Sequence, residues 1–232
     1  MQQYLTKKLI NCDLGECLVP NPDKEVMPLI DMANIACGGH AGDNESIVDA
    51  INLAKKNNVK IGSHPSYMDK SNFGRVSHNL SDSDLYDCVY SQIANFQKLC
   101  VQNNAKLDYV KPHGALYHDM THQQSVLGVI CRVIQSIDSN LSLVVQAGNE
   151  ERFKNIEKNE NINFLYEVFA DRGYKGMHMI ARGEKGAILD NSDDIIDQFW
   201  RFFKNNSIKL DTICFHGDNK ASVEALKQLK HA

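Results

Sequence analysis

The sequence predicts an α/β fold: a single-domain β/α barrel of about seven parallel strands spanning residues 1–232. Three observations carry the prediction. Short, nearly continuous apolar runs alternate with longer segments of helical period, the pattern of parallel strands buried on both faces. About seven such units use up the 232 residues, and no Pro/Ser/Gly-rich linker or low-complexity stretch marks a boundary. Neither the dinucleotide-binding G-x-G-x-x-G nor the phosphate-binding G-x-x-x-x-G-K-[ST] occurs where a doubly wound sheet would need it. An open doubly wound sheet and a barrel both fit the alternation; the missing glycine motifs favour the barrel.

The strand-like runs are LINC (9–12), ANIAC (33–37), VKIGS (59–63), DYVK (108–111), LSLVVQ (141–146), FLYEVFA (164–170) and DTICF (211–215). After the second run, Asp43 or Asn44 is suited to cap a helix through Ile47, Ala50, Ile51 and Ala54. A long helix follows the third run. Leu85, Val89, Ile93, Phe96 and Cys100 share one face at steps of three and four, and Ser81 with Asp84 resembles a capping box. Val126, Val129, Ile130, Val133 and Ile137 predict a helix over 123–137. Two more helical patterns cover 193–203 and 222–229.

Bulk composition excludes several classes. Hydrophobic residues make up 43% and charged residues 23%, as in ordinary soluble globular proteins. The formal charge is −4, and no basic block interleaves with aromatics, so no nucleic-acid partner is expected. The apolar runs are far shorter than the roughly 18 residues of a membrane span, and MQQYLTKKLINCD lacks an apolar leader segment. A cytoplasmic protein without membrane contact is the expectation. The seven cysteines, Cys12, Cys17, Cys37, Cys88, Cys100, Cys131 and Cys214, are scattered, with no C-x-x-C pair. They predict small buried hydrophobes and neither a disulfide framework nor a zinc–thiolate site.

In parallel β/α folds, ligand chemistry gathers where strands end. The first run ends among Asn11, Asp13 and Glu16, and the second at Asn34 with His40 and Asp43 beyond. The third leads to His64 and then Arg75 in NFGR; the fourth ends at Lys111 and His113. Glu167, Asp171 and Arg172 close the sixth, and His216 with Asp218 the seventh. Only the fifth, at Gln146, ends poorly in polar groups. Any one of these is more often structural than functional; a lone strand-end histidine usually satisfies a local hydrogen bond. Their recurrence at one end of consecutive units points to a common mouth. Four of the nine histidines (His40, His64, His113 and His216) occupy such places, and the other five read as peripheral.

Imidazoles and carboxylates so placed supply acids and bases that work near neutral pH. Lys111 and Arg172 supply charge for a carboxylate, a phosphate or a developing oxyanion. Asp13 with His40 and His64 could instead hold a divalent metal, although no H-E-x-x-H or H-x-x-E-H pattern demands one. No G-x-S-x-G occurs, which argues against a serine hydrolase, and Cys37 is a weak candidate nucleophile.

The blocks NCDLGE, ANIACGGHAGD, GSHPSY with NFGR, VKPHGALY, EVFADRGY with RGEKGA, and CFHGD are collinear and span almost the whole chain. Together they resemble the bacterial lactam-utilisation family (LamB/YcsF-like), the A subunits of 5-oxoprolinase. The resemblance implies a barrel related to the glycoside hydrolase/deacetylase barrels. It also implies a cytoplasmic enzyme acting with partner subunits B and C to open 5-oxo-L-proline to L-glutamate while ATP is hydrolysed. In that setting Asp13 or His64 would activate water, and His113 or His216 would act as the acid. Lys111 and Arg172 would hold the substrate carboxylate or a phosphate. Asn11, Glu16, Asn34, His40, Asp43, Arg75, Glu167, Asp171 and Asp218 would line the substrate. The chain departs from the family pattern at ECLVPNP in the first block and at Val76 after Arg75. Two other readings fit the same residues: a metal-dependent N-deacetylase of a small sugar, and a non-catalytic substrate-delivery protein.

Overall fold

The structure, a computed structural model, describes residues 8–148 and 150–231. The leader-segment reading of the first residues lies, for residues 1–7, outside them. In chain order the strands are β1 (Leu9–Leu14), β2 (Met32–Ala36), β3 (Lys60–His64), β4 (Tyr109–Val110), β5 (Ser142–Gln146), β6 (Asn163–Phe169), β7 (Tyr174–Lys175), β8 (His178–Met179) and β9 (Thr212–His216). The helices are α1 (Asp23–Val26), α2 (Asn44–Lys56), α3 (Asp82–Gln102), α4 (Gly114–His122), α5 (Gln124–Ile137), α6 (Glu150–Glu160), α7 (Ser192–Phe203) and α8 (Lys220–His231).

Strands β1 to β6 and β9 close into a seven-stranded barrel, every neighbouring pair parallel. This is the architecture the alternation predicts. Each of the seven apolar runs forms a barrel strand, although DYVK contributes only Tyr109 and Val110 to the ladder. Between β6 and α7, β7 and β8 form a small antiparallel ribbon outside the barrel.

The helices form where their faces and caps dictate. Asp43 caps α2: its carboxylate accepts from Ser46 N at 2.9 Å, and Ser46 Oγ accepts from Asp43 N at 2.8 Å. Such a cap contributes about 1 kcal/mol. At α3, Ser81 Oγ accepts from Asp84 N, but the Asp84 carboxylate binds the Ser81 hydroxyl rather than its backbone. Only half of the expected box is therefore made. The apolar stripes of α3 and α5 are buried in the main core, which lies outside the barrel wall. Among the described residues no helix is long and apolar enough to cross a membrane.

Inside the barrel the two-residue period of the strands decides what meets what. Met32, Tyr109 and Val144 pack with Leu9 and Leu165 as a cluster separate from the main core. Gly62 on β3 makes room for this layer, since a Cβ there would lie 2.2 Å from the Tyr109 ring. One step toward the strand ends, the interior turns polar. Asn11 Nδ2 donates to Thr212 Oγ1 at 2.8 Å, Asn34 Nδ2 donates to Asn11 Oδ1 at 2.7 Å, and the Tyr109 hydroxyl donates to Asn34 Oδ1 at 2.8 Å. One step further lie Asp13, His64, Lys111 and His216.

Candidate functional site

A cavity of about 710 Å³ opens at the C-terminal ends of the strands, within the usual range for small-molecule sites. Its floor is a buried ion network. The Lys111 ammonium, 2% exposed, donates to Asn11 Oδ1 and Asp13 Oδ1, both at 3.1 Å, and lies 3.2 Å from Glu167 Oε2 and 3.0 Å from Cys214 Sγ. Burial alone would lower the Lys111 pKa, but the Asp13 and Glu167 carboxylates outweigh it and hold it well above the ordinary lysine value. Burial likewise works against charge on Asp13, and His64 and Lys111 outweigh it, keeping this carboxyl well below the usual range. Asn34 Nδ2 also donates to Asp13 Oδ1 at 2.7 Å.

On β9, His216 Nδ1 donates to Asp171 Oδ1 at 2.7 Å, and the His216 backbone N–H donates to Asp171 Oδ2 at 3.0 Å. Nε2 is thereby turned toward the cavity, 3.7 Å from Asp13 Oδ2. Burial pushes the His216 pKa down, but Asp171 outweighs it and the net shift is upward. Asp171 is held below the ordinary carboxyl value because His216 outweighs the cost of its burial.

Three more histidines gather across the floor. His64 Nδ1 donates to Lys111 O at 2.6 Å, and its Nε2 lies 3.3 Å from Asp13 Oδ2 and 3.0 Å from His113 Nδ1. His113 Nε2 donates to Phe73 O at 3.0 Å. The His40 ring stacks on His113 with centroids 3.7 Å apart, buried, and neither of its nitrogens has a hydrogen-bond partner. Glu16 Oε1 lies 3.4 Å from His40 Nε2 and 3.7 Å from His113 Nδ1. Burial, with Asp13 and Asp218 nearby, pushes the Glu16 carboxyl up to about 8. Burial depresses the His40 imidazole to about 2, and His113 is also held well below the ordinary histidine value.

The KPHG turn builds part of this arrangement. Gly114 has φ +53°, and a Cβ there would stand 2.6 Å from Gly74 O, which accepts from Ala115 N at 3.0 Å. Glycine lets the turn close against the loop that supplies Phe73 O.

Of the residues singled out in the sequence, Asp13, Glu16, His64, Arg75, Lys111, His113, Arg172, His216 and Asp218 line the cavity. Asn11, Asn34 and Glu167 lie in the layer beneath the floor, bonded to one another or to Lys111. His40 stands behind His113, and Asp171 behind His216. Asp43 caps α2 and is not among the cavity residues. Arg172 lines the cavity, yet two of its N–H groups are taken: Nε donates to Ala187 O and an Nη to Ile180 O, both at 2.9 Å. Arg75 pairs with Asp218 at 2.9 Å on the half-exposed rim.

Three histidines that read as peripheral, His118, His122 and His178, also line the cavity. The first two ride on α4, which the sequence pattern did not announce, and the third sits on the β7–β8 ribbon. Arg182, Tyr117, Phe169 and Gln146 were missed as lining residues too. The RGEKGA block carried the signal for Arg182, and VKPHGALY the signal for Tyr117. Five of the seven cysteines are buried, Cys88 is half-buried and Cys17 is exposed, and none is disulfide-bonded. Burial raises the Cys37 thiol, which makes it a poor nucleophile.

Among the described residues, two groups of side chains have ligand atoms within 4.8 Å of one another: Glu16, His40, His64 and His113, and Asp13, Cys214 and His216.

Comparison with known proteins gives a consistent picture. The model of the LamB/YcsF family matches residues 9–232. The chain is 35% identical to the A subunit of 5-oxoprolinase from Vibrio cholerae serotype O1, over 96% of each chain. It superposes on the lactam utilization protein of Thermus thermophilus with a TM-score of 0.84 and 27% identity, covering 96% of this chain and 95% of that one. A glycoside hydrolase family 113 β-1,4-mannanase, 10% identical, shares the barrel at a TM-score of 0.52 over 97% of this chain and 100% of that one, a likeness of fold alone.

Proposed function

This chain belongs to the LamB/YcsF family, and from that membership and the geometry of its mouth we propose that it carries out the ring-opening step in the hydrolysis of 5-oxo-L-proline to L-glutamate. The observation that carries the reading is the His216–Asp171 pair, aimed at a cavity whose floor holds Asp13 and Lys111.

A five-membered lactam is a resonance-stabilised amide, and its amine stays tethered on leaving, so reclosure competes with hydrolysis. Coupling to ATP, through phosphorylation of the lactam oxygen, makes the ring carbon a better electrophile. Partner subunits B and C supply that activation, and the assembly works in the cytoplasm. In this chain a water held beside Asp13 Oδ2 attacks the ring carbon and gives its proton to His216 Nε2. The ring C–N bond then breaks as the nitrogen takes a proton back from the same imidazole. The attacking oxygen loses its remaining proton to solvent and becomes the carbonyl oxygen of an acyl phosphate, which a second water hydrolyses to L-glutamate and phosphate. Asp171 fixes the tautomer and stabilises the imidazolium between the two transfers, worth about 10²–10⁴-fold in rate.

Asp13, held well below the usual carboxyl range, is a weak base and serves instead to orient the water and the lysine. Lys111 is already saturated by its buried partners. It sets the field of the floor, while Arg75 and Arg182 on the rim are left to receive the substrate carboxylate or a phosphate.

The test is glutamate release from 5-oxoproline with ATP, by this chain alone and then mixed with subunits B and C from the same source. Release only in the full mixture, falling at least about 10²-fold with His216→Asn, is the expected outcome. Full activity with His216→Asn, or no release in any mixture, refutes the assignment.

A further inference from the structure

We propose that Arg75, Arg172 and Arg182 form a subsite for a phosphoryl dianion at the mouth, and that it holds this group through both ring opening and hydrolysis of the acyl phosphate. The subsite deepens the ring-opening reading and rests on it for the identity of what carries the phosphoryl group.

The backbone is built to present Arg182. After the β7–β8 ribbon, residues 180–187 form a strap whose first residues, Ile180 to Arg182, line the cavity. Arg172 fastens the strap at both ends: its Nε donates to Ala187 O and an Nη to Ile180 O, both at 2.9 Å. Backbone bonds repeat the fastening, from Ile180 N to Gly173 O at 2.8 Å and from Gly173 N to Ala187 O at 3.0 Å. A Cβ on Gly173 would stand 1.9 Å from Gly186 O, so the strap lies directly against that glycine. Arg182 sits between the fastened ends. Its guanidinium nevertheless makes no hydrogen bond and no ion pair among the described residues.

Open guanidinium N–H groups over a cavity are suited to an oxyanion, and the charge balance says which kind. After burial, Arg75 is the largest influence lowering the Arg182 pKa, and Arg182 in turn is the largest such influence on Arg172. Three like charges are therefore held within reach of one another. The nearby carboxylates are mostly committed elsewhere. Asp171 serves His216, and Asp13 serves Lys111 and His64. Asp218 alone answers the rim, pairing with Arg75 at 2.9 Å. Three guanidiniums against one carboxylate leave an excess of two positive charges. A single substrate carboxylate would match only one of them; a phosphate monoester, close to a dianion at neutral pH, matches both. Held at the rim, the phosphoryl group leaves the ring to reach down toward His216 and Asp13. The same grip keeps the acyl phosphate in the mouth until water hydrolyses it.

The test measures binding to the folded full-length chain without its partners. Calorimetric titration with inorganic phosphate should show one site per chain with a Kd of about 1 mM or tighter. Acetate, a monocarboxylate, should bind at least about tenfold more weakly, and adenosine monophosphate no more tightly than phosphate. Arg182→Gln and Arg75→Gln, both at exposed positions, should each weaken phosphate binding at least about tenfold, the loss of one charge-assisted hydrogen bond. Absence of saturable phosphate binding overturns the proposal, as does undiminished binding by folded Arg182→Gln. Acetate binding as tightly as phosphate would make this the carboxylate site instead, and adenosine monophosphate binding tenfold more tightly would make it a nucleotide site. Glutamate release by the full mixture, with no phosphate bound by this chain, would sink the subsite and leave the ring-opening reading standing. Phosphate binding lost in Arg182→Gln, with no glutamate release in any mixture, would do the reverse.

Discussion

Replacing Lys111 by Met keeps most of the stem and deletes the ammonium. Two carboxylates then lose their shared counter-charge inside the barrel. Asp13 retains His64 at 3.3 Å and His216 at 3.7 Å. Glu167 has less: it is 0% exposed, its Oε1 already makes no hydrogen bond, and among the ion pairs of the described residues Lys111 is its partner. Breaking a buried pair by removing one member costs about 3–5 kcal/mol. At roughly 2–4 °C per kcal/mol for a chain of this size, Tm should fall by about 6–20 °C at neutral pH. The sign with pH follows. Buried carboxylates without a cation are penalised only in their charged form, so the loss should be larger at pH 8 than at pH 5. Melting curves of native chain, Lys111→Met, Asp13→Asn and the double variant, at pH 5 and pH 8, read this directly. The double variant should lose less than the sum of the singles. A Lys111→Met chain within about 0.5 kcal/mol of native at pH 8 would be behaving like a surface substitution, and the account of the floor would be wrong.

Asp171→Asn should separate the two ends of its pair with His216. The His216 pKa is raised above 6.5, so its contribution is present below that value and lost as pH rises through the folded pKa. The Asp171 pKa is depressed below 3.8, so its contribution is present above that value and lost as pH falls through the folded pKa. The Tm difference between native and variant should therefore be greatest between about pH 4 and 6.5 and narrow at alkaline pH; a difference independent of pH would refute the ion pair. Gly62→Ala should cost about 1–3 kcal/mol by overpacking the barrel interior, since its methyl would stand 2.2 Å from the Tyr109 ring. A urea midpoint unchanged from native would show that the ring has somewhere else to go.

Much of the barrel was legible because its strands are buried on both sides and so read as apolar runs. LINC, ANIAC and DTICF needed no help from context. Helix α4 was not legible: Gly114 at its start and His118, Asp119, Thr121 and His122 along it obscure the stripe formed by Ala115, Leu116 and Met120. Helix α6 reads as EERFKNIEKNE, with only Phe153 and Ile156 to mark an inner face. The β7–β8 ribbon is two residues a side, too short for any periodicity. At the site, strand-end counting found the floor because the chain leaves each strand there. It could not see groups that return over the mouth from elsewhere, so Arg182 and the three rim histidines escaped it.

Strand-end counting also has no measure of depth, and depth separates two roles here. The two-residue period that turns Asp13 into the mouth turns Asn11 into the barrel below it, and the same step separates His216 from Cys214. Asn34 reaches across this step: its amide donates to Asn11 Oδ1 and to Asp13 Oδ1, both at 2.7 Å. Lys111 repeats the bridge at 3.1 Å to the same two oxygens. One oxygen of Asp13 is thus committed to the barrel interior, while Oδ2 is left facing His64 and His216. Asn11, Asn34 and Glu167 are therefore positioning groups, acting through Asp13 and Lys111 without reaching the cavity. A polar interior costs stability unless its groups are matched, and the matching here fixes the direction of the Asp13 oxygen that faces the mouth.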